Sequence, residues 1–183
     1  MRALVVGIGN PLRGDDGLGP HVIERLREEG IGCLSREGVD RLRADETACL
    51  HQEDVDVGVD LLACHQLTLE LAEPASRVGL VIFVDASADT TPGIVTCRRV
   101  PPLDAESAGA TSHHCSPELI LSCAELLYGH RPAGWLVSVG AASFEPGATL
   151  SLAARGAVAA VLKRCRGLLR ASEVPPLRSV YLS

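Results

Sequence analysis

Apolar and polar residues alternate in two rhythms along this 183-residue chain. Ala3-Leu4-Val5-Val6 is an unbroken apolar run, which predicts a buried strand. Gly7, Gly9, Asn10 and Pro11 end it sharply. Leu18, Val22, Ile23 and Leu26 then fall on one face of a helix that runs to about Glu29, where Gly30 stops it. Ile31 to Leu34 reads as a short strand. Residues 36–58 turn polar and acidic without clear periodicity, an insertion or long loop with one helical turn around Ala44 to Leu50. Val59 to Ala63 is extended again, and Cys64 to Ala72 joins that strand to a helix. Gly79 to Val84 is a second unbroken apolar run, ending in Asp85. Gly93 to Val100 predicts a strand paired with it or near it, followed by a loop from Pro101 to Ala110. Ser116-Pro117-Glu118 opens a helix with a serine cap and a proline in the first turn. Its apolar face is Leu119, Ile120, Cys123, Ala124 and Leu127. Trp135 to Ala141 is a strand, Thr149 to Leu169 a long alanine-rich helix, and the proline-rich tail from Glu173 is expected to be loosely held.

Strands and helices thus alternate throughout, which predicts an α/β fold: a three-layer α/β/α sandwich with a mostly parallel central sheet. Residues 1–183 read as a single domain of ordinary size. Open parallel sheets bind ligands at the carboxyl ends of their strands, and three groups of metal-capable side chains stand near predicted strand ends. They are Asp15-Asp16 after the first strand, Asp85 at the end of Leu80-Val81-Ile82-Phe83-Val84, and Ser112-His113-His114 before the helix capped by Ser116. If the first and third runs are parallel, Asp16 and Asp85 share one sheet edge. Two carboxylates and an imidazole suit a borderline divalent metal, with positions left for water or a peptide carbonyl. A phosphate cradle would want backbone N–H groups and few acids, so the first loop suits a cation.

Gly7-Ile8-Gly9-Asn10, Leu12, Asp15-Asp16-Gly17 and Gly19 resemble the N-terminal signature of the nickel-iron hydrogenase maturation proteases. Those endopeptidases trim the C-terminal tail of the hydrogenase large subunit. Val81-Ile82-Phe83-Val84-Asp85-Ala86 and Ser112-His113-His114 extend the resemblance over most of the chain outside residues 36–58. The resemblance implies a peptidase acting on a large-subunit precursor after nickel insertion. It also implies that Asp16, Asp85 and His114 are the catalytic and metal-binding residues, with His113 the alternative to His114. Asp15 would then be structural. The nickel would arrive with the precursor, no organic cofactor would be needed, and the chain would act as a monomer. Cys64-His65-Gln66 departs from the glycine-rich segment of some members. It marks either a subgroup with a different hydrogenase partner or a strand-end packing role.

Composition narrows the alternatives. The formal net charge is −6, with 17 basic against 23 acidic residues and no basic block, which argues against nucleic acid and anionic membranes as partners. No segment reads as a signal peptide or approaches the ~20 apolar residues of a membrane span, so a cytoplasmic protein is expected. The seven cysteines (Cys33, Cys49, Cys64, Cys97, Cys115, Cys123, Cys165) contain no Cys-x-x-Cys pair for structural zinc, and a cytosolic chain favours free thiols. Asp54, Asp56, Gly58 and Asp60 imitate a calcium loop, but the glycine is one place early and His65 stands where a bidentate acid belongs. Arg13-Gly14-Asp15 is an adhesion tripeptide in letters only, and Cys115 beside His114 is poorly placed for a thiol nucleophile. Peptidyl-tRNA hydrolase also begins with a strand and Gly-x-Gly-Asn-Pro, but Leu12 replaces its next glycine and the acidic pair opposes RNA. A nickel-binding maturation or sensing module on the same fold is the non-enzymatic alternative.

Overall fold

The computed structural model describes residues 2–31, 58–101, 103 and 115–173. Five strands, β1 (Ala3–Ile8), β2 (Val59–Cys64), β3 (Leu80–Ser87), β4 (Val95–Arg99) and β5 (Ala133–Gly140), form one sheet in the order β2-β1-β3-β5-β4. β1 is parallel to β2 and β3, and β3 is parallel to β5; β4 runs antiparallel to β5. Helices α1 (Leu18–Glu28), α2 (Ala72–Ser76), α3 (Pro117–Tyr128) and α4 (Leu152–Glu173) flank it.

The apolar runs of β1 and β3 are unbroken because both faces of the sheet are covered. Val5, Leu80, Ile82, Val84, Val137 and Val139 face a core closed by α1 and α4. Leu4, Val6, Ile8, Val81 and Phe83 face a second core, with Leu71 and Ala75 around α2 and Ile120, Leu121 and Ala124 of α3. This is the expected α/β/α sandwich. In α4, Ala154, Ala157, Val158, Val161, Leu162, Cys165 and Leu169 are buried, a single stripe at helical spacing. From β1 the chain crosses one face through α1 to β2. From β2 it crosses the other face through α2 to β3. The helix that follows β1 lies on one face, while the path from β3 leads through β4 to α3 on the other, so a crevice opens between the carboxyl ends of β1 and β3.

Four elements differ in detail from the sequence reading. β3 continues through Asp85 to Ser87 because β5 goes on pairing with it, Asp85 with Ser138 and Ser87 with Gly140. β4 lies near β3, one of the two expected placements, but pairs with β5, which stands between them. α4 begins at Leu152, three residues later than expected, where the Ser151 hydroxyl accepts from the Ala154 N–H at 3.1 Å. The α3 face is Ile120, Leu121 and Ala124, while Leu127 is 66% exposed. Leu121 sits against Gly134, the second residue of β5, so the last turn of α3 overhangs the lower edge of the sheet. The predicted cap of α3 is present: the Leu119 N–H donates to the Ser116 hydroxyl at 3.2 Å, and Gly129 closes the helix at φ +74°. The short strand expected over Ile31 to Leu34 lies outside the described residues beyond Ile31 itself, as do residues 36–57, the tail beyond Glu173 and most of the loop after Pro101.

Candidate functional site

The loop leaving β1 is built around a backbone contact. Gly9 has φ +126°, and a Cβ there would collide with the carbonyl of Asp16. Its N–H donates to the Cys64 carbonyl at 2.9 Å, continuing the β1–β2 ladder by one rung. The side-chain oxygen of Asn10 accepts from the Leu12 N–H at 2.9 Å, which turns the chain back. The Asn10 N–H itself donates to Asp16 Oδ2 at 2.8 Å. A single 3-10 turn, Gly14–Gly17, carries both acids into α1. At Gly19 a Cβ would strike the backbone of Ile8 and come within 2.8 Å of the Val84 carbonyl. The start of α1 therefore lies directly on the ends of β1 and β3, which places Asp16 beside the exit of β3.

Asp85 follows Val81 and Phe83 on the face of β3 that looks toward α2 and α3. Burial pushes its carboxyl pKa from the ordinary 3.8 to about 6, and the negative charge of Asp16 pushes the same way, against a hydrogen bond from the Ala86 N–H. That bond is 2.8 Å long, to Oδ1. The sequence reading placed Asp16 and Asp85 at one sheet edge, and the structure brings them within electrostatic reach of each other there. Cys64, at the end of β2, stands at the same edge; burial raises its thiol pKa and the charge of Asp85 adds to that. It is thus held as a neutral thiol.

His113 and His114, the expected imidazole ligand and its alternative, lie outside the described residues. Cys115, the next residue, is partly buried against the second core. Among the described residues no three His, Cys, Asp or Glu side chains are grouped closely enough to hold a metal ion. The described part of the site is a pair of carboxylates. Asp54 and Asp56 also lie outside it, and Asp60 is paired with Arg2 at 3.0 Å. Cys64, Cys97, Cys115, Cys123 and Cys165 are free thiols. A cleft of about 500 Å³ lined by Arg99, Val100, Arg131 and Gly134 adjoins the start of β5, the sheet end away from the carboxylates.

Asp15 behaves quite differently from Asp16. It is 1% exposed. One oxygen accepts from the Ser151 N–H at 2.6 Å, and the other from the Ala142 N–H at 2.7 Å and the Ser151 hydroxyl at 2.9 Å, with a longer bond from the Ser143 N–H at 3.4 Å. Burial opposes its ionisation, but these donors outweigh that and hold its pKa below the usual carboxylate range. Its partners are 127 to 136 residues away, so no local pattern reveals them. The nearest sequence signal is Ser151 itself, three residues before Ala154 in a helix-cap arrangement. For Cys64 the signal is its position at the end of an extended run.

Comparison with protein-family models finds no match, and neither does comparison with curated proteins. Solved structures do match over nearly the full chain. The hydrogenase maturating endopeptidase HybD from E. coli has 23% identity and a TM-score of 0.63, covering 94% of each chain. The solution structure of an endopeptidase from Escherichia coli has 24% identity and a TM-score of 0.65, covering 95% of each. The [NiFe] hydrogenase maturation protease HycI from Thermococcus kodakarensis has 20% identity and a TM-score of 0.63, covering 92% of each. The chain thus shares the fold of the hydrogenase maturation endopeptidases.

Proposed function

We propose that this chain is an endopeptidase that removes the C-terminal tail of a nickel-iron hydrogenase large-subunit precursor once nickel has been inserted. The observation that carries the reading is the pair Asp16 and Asp85. They stand at the crevice between β1 and β3, on a fold shared with proteins named as hydrogenase maturation endopeptidases. Two carboxylates within electrostatic reach of each other repel, and a divalent cation between them relieves that repulsion. Their chemistry therefore fits a metal presented by another protein. In this reading Asp16 and Asp85 supply oxygen ligands to the nickel of the precursor. His114, or His113 in its place, adds the imidazole.

Ligands with vacant positions gain free energy only when a metal arrives. The precursor is then gripped at the crevice when loaded and weakly when empty. Hydrolysis adds one water across the scissile amide, leaving a new carboxylate on the large subunit and an amine on the released tail. A carboxylate at this edge is the available base for that water. The test is incubation of the purified chain with a tailed, nickel-loaded large subunit. Loss of the tail supports the reading. An uncut tail together with nickel binding by the chain alone would favour a non-enzymatic metal module.

A further inference from the structure

Asp15 is the one charged side chain that is buried among the described residues, and the proposed chemistry leaves it without a role. Its carboxylate is spent on the segment between β5 and α4. Ser151 both donates to it and caps α4 through the Ala154 N–H. The backbone nearby is joined in the same sense: the Gly147 N–H donates to the Leu12 carbonyl at 2.7 Å, the Gly14 N–H to the Ala148 carbonyl at 3.1 Å, and the Asp15 N–H to the Ser143 carbonyl at 2.9 Å. The first loop is thus fastened along its length to the start of α4.

Asp16, one residue on, shares none of these partners and accepts instead from the Asn10 N–H. It also faces the like charge of Asp85, and that repulsion favours swinging Asp16 out into water. The turn cannot follow while Asp15 is held, because moving it would strip a buried carboxylate of its donors. We propose that Asp15 is a positioning residue: it locks the Gly14–Gly17 turn onto the β5–α4 segment and so fixes where Asp16 presents its carboxylate beside Asp85. The structural part stands alone; its consequence for processing rests on the peptidase reading above.

Two variants test it. Asp15→Asn turns an N–H₂ toward groups that are themselves donors, and Ser151→Ala removes one donor. The readout is native-state hydrogen exchange at the Asn10 amide, whose protection reports the bond to Asp16, set against the amides of β3. In both variants Asn10 exchange is expected to speed up by about tenfold or more, as loss of a bond to a charged acceptor implies, with β3 unchanged. Asn10 protection equal to the parent's, or lost only in step with β3, would overturn the proposal and leave Asp15 a mere anchor of the fold. Should Asp15→Asn fail to fold, Ser151→Ala decides. With nickel-loaded precursor, both variants are expected to lower kcat/KM, with KM raised because the displaced Asp16 carboxylate grips the metal less well. A parent chain that cuts no precursor would defeat the peptidase reading, and the exchange data would still decide the role of Asp15.

Discussion

In the proposed reading the two neighbouring acids divide fold from chemistry, Asp15 serving the first and Asp16 the second. Asp16→Asn and His114→Ala are expected to abolish tail removal. Asp16→Asn should change stability by less than about 1 kcal/mol, since partly exposed side chains carry little of the fold. Loss of cooperative unfolding in that variant would show Asp16 to be structural. Asp15 and Asp85 should leave opposite marks on stability. The native pKa of Asp15 is lowered, so its contribution is present above the unfolded value near 4 and lost as pH falls through the native one. Asp15→Asn should therefore flatten the acid limb of a plot of stability against pH. The native pKa of Asp85 is raised to about 6. Between about 4 and about 6 the folded chain holds more protons than the unfolded one, so stability falls as pH rises through that window. Asp85→Asn should remove that fall and raise the melting temperature at neutral pH. A denaturation series against pH for the two variants checks both signs.

At the scale of elements, the contact of α1 with the strand ends sets the site. A Cβ at Gly19 has no room between Ile8 and Val84, so Gly19→Ala should cost about 1–3 kcal/mol by overpacking and impair processing together with stability. Ser116→Ala, by contrast, should cost about 1 kcal/mol through loss of the α3 cap and leave processing near the parent rate. Thermal melts paired with a cleavage assay separate the two cases. The elements that proved legible are those whose causes are local. β1 and β3 are bare apolar runs because each is buried on both faces, and Ser116-Pro117 is a cap wherever it occurs. Asp16 and Asp85 could be placed together because each stands just beyond such a run and the two strands are parallel. What escaped depends on distant partners. Nothing in Val95–Arg99 says that β5, arriving some 35 residues later, will pair with it. Leu121 and Leu127 are equally apolar, and the height at which α3 crosses the sheet decides between them. The acceptor role of Asp15 was hidden for the same reason.

For the whole molecule, charge and gating are the two properties to measure. A chain of net charge −6 is steered toward cationic surfaces over distances near the Debye length, about 8–10 Å at ordinary salt. Capture of the precursor should therefore slow as salt rises, with the chemical step unchanged; stopped-flow association at two ionic strengths checks this. No helix among the described residues is long and apolar enough to cross a membrane. The most direct measurement is cleavage of one tailed large-subunit precursor in two states, with nickel and without it, by the same preparation of this chain. The account predicts tail loss from the nickel-loaded protein and an intact tail on the empty one. Equal cleavage of both would contradict it.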